Sequence, residues 1–104
     1  MPPELYEALT RFMAAWEART WTEMDTMIHP SEGQSPEQLR RKIRLLLKDV
    51  DPTGWTFPPP SFPMHNMGIL VIIAQKRAFV LKMLKFEGAG YYSEWYLNEV
   101  TEAS

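Results

Sequence analysis

Apolar residues recur along the first half of the chain at helical spacing. Leu5, Leu9, Phe12 and Trp16 form one stripe, with Ala8, Met13 and Ala15 beside it, which predicts a helix over residues 4–18. Pro2 and Pro3 precede it, where a missing N–H costs nothing. Glu7 and Arg11 lie one turn apart in the favourable order. Trp21, Met24, Met27 and Ile28 predict a shorter second helix over 21–29. Thr20 and Glu23 would form its capping box, and His29 would close it ahead of Pro30. Ser35-Pro36-Glu37-Gln38 is a helix start signal, and Leu39, Ile43, Leu46 and Val50 continue a third helix over 36–50, with Leu47 widening its stripe.

The pattern then changes. Pro52, Gly54, Pro58, Pro59, Pro60 and Pro63 punctuate residues 51–63, an extended crossover of polyproline character without ladder bonds. Its rings, Trp55, Phe57 and Phe62, would pack back on the body, and Thr56 would sit in a short edge strand. Strands follow over 68–75, 78–87 and 91–100, joined by a tight turn at Lys76-Arg77 and by Gly88-Ala89-Gly90. Helices first and an antiparallel meander after them indicate α+β: three N-terminal helices on a curved antiparallel sheet of three to four strands.

The alternation within the strands is unusual. Phe79, Leu81 and Met83 oppose Ala78, Val80, Leu84 and Phe86; Ile69, Val71 and Ile73 oppose Leu70, Ile72 and Ala74; Tyr91, Trp95 and Leu97 oppose Tyr92, Tyr96 and Val100. Neither face is polar, whereas a sheet with one solvated face alternates cleanly. The helices can cover one face. The other implies a homodimer through the sheet face, unless the sheet curls enough to bury both sides itself.

Composition changes the picture little. The chain has 104 residues, 45% hydrophobic and 23% charged, with a formal net charge of −2. That is one globular domain, residues 1–104, and excludes collagen-like and disordered classes. Zero cysteines remove disulfides and thiolate chemistry, and two histidines argue against a histidine-rich metal site. No cofactor or metal is expected. The longest apolar run, Ile69 to Ala74, is far shorter than a bilayer span, and the first twenty residues carry charges throughout, so no membrane partner is expected and the default location is cytoplasmic.

The order of elements resembles the nuclear transport factor 2-like superfamily, with its ketosteroid-isomerase-like and polyketide-cyclase-like members. The resemblance lies in Phe12-Met13-Ala14-Ala15-Trp16-Glu17-Ala18 followed by Thr20-Trp21-Thr22-Glu23-Met24, in Ile28-His29-Pro30, in Ala78-Phe79-Val80-Leu81-Lys82-Met83, and in Glu94-Trp95-Tyr96-Leu97. It implies a cystatin-like cone, in which a bent sheet wraps the helices around an apolar pocket. Sheet-to-sheet dimers are common in that superfamily. One departure is that residues 31–34 leave no room for the usual strand before the third helix, so the sheet should be smaller and a pocket wall missing.

The resemblance also frames the candidate chemistry. Isomerase-like members pair a buried carboxylate with a hydroxyl or second acid that stabilises developing charge. Glu94 and His65 are the weak candidate bases here, with Tyr6 or Tyr92 as donor; the plainer reading makes Glu94 a rim or interface charge and His65 a loop residue bonded to backbone or water. Neither Glu94, on a strand between aromatics, nor Asp25, on the second helix, matches a catalytic motif of that superfamily. Met13, Trp16, Met24, Met27, Phe79 and Trp95 would line a cavity suited to a small apolar ligand, or simply form an adaptable core. Arg40 to Lys48 form a basic helix face that meets phosphates or another protein, or is merely solvated; an acidic chain without a base-stacking pattern argues against nucleic acid. Pro60-Ser61-Phe62-Pro63 matches a proline-rich ligand pattern, although its aromatic neighbours favour packing on the chain itself. Three functions follow: a homodimeric domain binding a small hydrophobic molecule without turnover, an isomerase-, dehydratase- or cyclase-type enzyme, or a protein-interaction module.

Overall fold

The computed structural model describes residues 1–88 and 91–103. Their order is α1 (Pro3–Ala18), α2 (Trp21–Asp25), α3 (Pro36–Leu47), β1 (Ser61–Met64), β2 (Met67–Ala74), β3 (Arg77–Gly88) and β4 (Tyr91–Ala103). The strands form one open antiparallel sheet in the order β1-β2-β3-β4, so the α+β class holds.

Helix α1 buries the predicted stripe: Leu5, Leu9, Phe12, Met13, Ala15 and Trp16. Trp16 is the hub of the core. Its ring meets Phe79 of β3 edge-on at 5.5 Å, and its indole N–H reaches the carbonyls of Leu47 at 3.1 Å and Val50 at 3.2 Å. One side chain thus ties α1 to the sheet and to the end of α3. Arg19 ends α1 in the left-handed region at φ 57°, and its guanidinium donates to Trp16 O and Val50 O, each at 2.7 Å.

Helix α2 is shorter than its apolar spacing predicts, ending at Asp25 rather than at residue 29. Thr20 does not cap it; its hydroxyl donates to Ala15 O of α1 at 3.3 Å. Beyond α2 the chain extends and pairs with β4 in parallel at Ile28 and Leu97. Leu97 N–H donates to Met27 O at 2.8 Å and His29 N–H to Leu97 O at 2.9 Å. His29 is therefore no helix terminus. The sheet takes its extra pairing from residues that the 3.6-residue pattern assigned to a helix. Helix α3 starts as expected, with Ser35 Oγ accepting from Gln38 N–H at 3.5 Å, but stops at Leu47 instead of 50; Val50 is still fully buried, from the following turn.

The crossover contributes more ladder than its prolines suggest. Thr56 and Ile73 exchange backbone bonds of 3.1 and 2.8 Å, and Ser61–Met64 pair with β2 despite Pro63, which an edge strand tolerates. Gly68, across from β1 in β2, leaves room for Leu5 and Phe62: a Cβ there would lie 3.2 Å and 3.4 Å from them. The β2–β3 turn is Gln75-Lys76 rather than Lys76-Arg77, because Ala74 pairs with Arg77. Both turn residues have positive φ, 53° and 63°, as a two-residue hairpin of this twist requires. The Gly88-Ala89-Gly90 connection lies outside the described residues.

Leu70, Ile72, Ala74, Phe79, Leu81 and Met83 face the helices and are buried. On β4 the expected alternation fails: Trp95, Leu97 and Val100 are all buried. The reason is a bulge. Met83 pairs with Leu97 and Lys82 with Glu99, so Asn98 is an extra residue that resets the parity of the strand. Asn98 itself is 2% exposed; its amide donates to His29 O at 3.1 Å, and it shares hydrogen bonds with the Ser31 hydroxyl. The bulge thus clamps the extended segment after α2 against the sheet edge.

Candidate functional site

Two regions carry the candidate residues. The first is the sheet face turned away from the helices. Register places Met67, Leu84 and Tyr96 side by side, then Ile69, Lys82 and Glu99, then Val71, Val80 and Thr101, then Ile73, Ala78 and Ala103. Most of these residues are only partly exposed by virtue of one another, and Ile73 is 42% exposed. No described element lies over this face. At one end His29 joins it. Its ring lies 4.3 Å from that of Phe86 and 5.9 Å from that of Tyr96, and Nδ1 faces Pro30 O at 3.2 Å.

The second region is a cleft of about 230 Å³ at the end of the core, lined by Ala8 and Phe12 of α1, Met27, and Met83, Trp95 and Leu97 of the sheet. Arg11, Thr26, Glu94 and Tyr96 complete its wall. Of the six predicted cavity residues, Met27 and Trp95 line this cleft. Met13, Trp16, Met24 and Phe79 lie in the continuous core at 0–2% exposure. Trp95 is held from below by Phe62, at 6.5 Å between ring centroids.

The candidate acid–base groups do not come together. Glu94 is exposed and accepts the Tyr96 hydroxyl proton at 2.9 Å. His65 is exposed in the β1–β2 turn, at the other end of the strand order. Tyr6 is 48% exposed, with its ring near Phe57 at 6.1 Å, and the Tyr92 side chain lies outside the described residues. Asp25 pairs with Arg44 at 3.8 Å. Tyr96 as the partner of Glu94 escaped sequence reasoning, although residues two apart on a regular strand share a face.

The basic face of α3 is partly neutralised. Arg41 meets Glu37 at 3.4 Å, Lys42 meets Glu99 at 3.8 Å, and Arg44 also lies 5.9 Å from the Trp21 ring. Elsewhere on the surface, Arg77 grips Glu102 through two bonds of 2.7 Å, which holds the Glu102 carboxyl below its usual range. Asp51 is lowered likewise by the hydroxyl and backbone N–H of Thr53. Among the described residues no cluster of three metal-ligating side chains occurs, and no helix is long and apolar enough to cross a membrane. No protein-family model matches the chain, and comparison with curated proteins and with solved structures returned no match.

Proposed function

We propose that this chain is a homodimeric association domain of nuclear transport factor 2-like type, whose two copies meet through the outer sheet face. The observation that supports this reading is the apolar face itself, with Val71, Val80, Ile73 and Leu84 lying in rows over which no described helix packs. Its size suits the role. Eight residues of β2 in a four-stranded sheet span on the order of 500 Å² in projection, and side-chain relief adds to it. A stable interface uses about 800 Å² per partner. Lys82 and Glu99 lie in one row across the face, so two copies related by a two-fold axis can pair these charges reciprocally.

The test is the mass in solution, by light scattering, of the wild type and of Val71→Lys/Val80→Lys. The wild type should have twice the chain mass, and the variant one chain mass with an unchanged far-ultraviolet spectrum. A wild type that stays monomeric at high micromolar concentration removes this function.

The cleft supports a second reading, in which the cone closes around a small hydrophobic molecule without turnover. Drug-sized ligands need about 300–1,000 Å³, so the cleft of about 230 Å³ suits a body no larger than one or two rings. Trp95 provides the assay: its fluorescence should respond to a small aromatic probe such as naphthalene, and Met83→Trp, which fills the cleft, should abolish the response. The enzymatic alternative, with Glu94 or His65 as base, finds less support, since both side chains are exposed rather than enclosed.

A further inference from the structure

The cleft at the end of the core has an apolar floor and a charged rim. The floor comes from Phe12, Met27, Met83, Trp95 and Leu97. The rim runs on into a smaller hollow of about 130 Å³, lined by Glu4, Glu7, Ala8 and Arg11 of α1 and by Glu94 and Trp95 of β4. Ala8, Arg11, Glu94 and Trp95 line both spaces, so the two form one depression between helix and strand. Ala8 offers only a methyl group there, which leaves the space unfilled.

The polar groups of the rim differ in what they have left to offer. The Thr26 hydroxyl donates to Glu23 O at 2.7 Å and is spent on the end of α2. The Tyr96 hydroxyl donates to Glu94 at 2.9 Å, which holds that carboxylate on the wall and leaves it further acceptor capacity. Among the described residues Arg11 makes no hydrogen bond and no ion pair, although Glu7 precedes it by one turn and Glu94 lines the same cleft. A guanidinium on the helix and a carboxylate on the strand thus share one apolar floor without closing on each other.

This charge arrangement narrows the ligand. Glu4, Glu7 and Glu94 outnumber Arg11, so a simple anion meets net repulsion. A simple cation leaves the guanidinium facing a like charge. A molecule that carries both a carboxylate and an ammonium group meets each wall with the opposite sign. Its pairs form at the edge of an apolar space, where attraction between charges exceeds its value in open water.

Resting on the small-molecule reading of this cleft, we propose that it takes a free α-amino acid with an apolar side chain. The Arg11 fork receives the α-carboxylate, a match of planar donor and acceptor pairs. Glu94, held by Tyr96, receives the α-ammonium. The side chain enters between Phe12, Met27, Met83 and Trp95, where about 230 Å³ accommodates a single ring or a branched chain.

The probes are phenylalanine, phenylpropionate, which lacks the ammonium group, and phenethylamine, which lacks the carboxylate, with naphthalene as the uncharged reference. Binding is read at neutral pH from the Trp95 indole and the Met27, Met83 and Leu97 amides in proton–nitrogen correlation spectra. Phenylalanine should shift these signals saturably, with a Kd about tenfold or more below that of either single-charge compound, as loss of one charge-assisted contact implies. Arg11→Gln should weaken phenylalanine to the level of phenethylamine, and Glu94→Gln to the level of phenylpropionate. Both side chains are exposed, so neither change disturbs the core. A response to naphthalene with none to phenylalanine overturns the amino acid as ligand and leaves the small-molecule reading standing, as does equal binding of the three phenyl compounds. Variants that bind phenylalanine as the wild type does also overturn it. No response to naphthalene or to phenylalanine overturns both.

Discussion

Lys76 sits at φ 63° in the β2–β3 turn, a region that costs a residue with a Cβ roughly 1–2 kcal/mol. Lys76→Gly removes that strain. Glycine in turn loses more backbone freedom on folding, about 0.5–1 kcal/mol. The side chain makes no hydrogen bond or ion pair among the described residues, so nothing else is lost. The net expectation is a gain of about 0.5–1 kcal/mol. With an unfolding entropy of about 2.1 cal/mol/K per residue over 104 residues, the melting temperature should rise by roughly 2–5 °C. Arg19→Gly is the matched control, because its φ of 57° is similar and its two guanidinium bonds of 2.7 Å are not dispensable. Those bonds contribute about 1 kcal/mol each at a half-exposed site, which exceeds the strain relief, so Arg19→Gly should melt about 4 °C lower. Differential scanning calorimetry at one protein concentration checks both. If Lys76→Gly fails to raise the midpoint the strain argument is refuted, and if Arg19→Gly raises it as well the guanidinium bonds are not what separates these sites.

Two further outcomes follow from the structure. Asn98→Ala removes the amide that holds His29 O and Ser31, and should destabilise by about 1–3 kcal/mol; amide exchange at His29 should accelerate more than exchange at Trp16. Acid should weaken the fold through Asp51 and Glu102, whose carboxyls are held low by Thr53 and Arg77 respectively. A lowered pKa adds stability above the unfolded carboxylate range, near pH 4, and that contribution disappears as pH falls through the folded values. Thermal midpoints from pH 7 to pH 3 should therefore fall less steeply in Asp51→Asn/Glu102→Gln than in wild type.

Much of the fold was legible in local pattern. The α1 stripe of Leu5, Leu9, Phe12 and Trp16, the Ser35 cap of α3 and the two-sided apolar alternation of β2 and β3 are all periodic signals, and periodicity reflects which side of an element meets water. The candidate site was legible in part. Met27 and Trp95 line the cleft, whereas Trp16 and Phe79 are central core, because a residue pattern reports burial without saying whether the space beside it is filled.

Sequence alone thus determined the element types and the faces they bury, since both follow from spacing along a single chain. Tertiary structure decided what depends on partners distant in sequence. Residues 27–29 could continue α2 or pair with Leu97, and the hydrogen bonds that Leu97 offers settle the choice. The Asn98 bulge carries no composition signal, yet it moves Val100 into the core. Neither outcome is contained in local propensity, because each is fixed by the register of strands whose alignment only the folded sheet supplies.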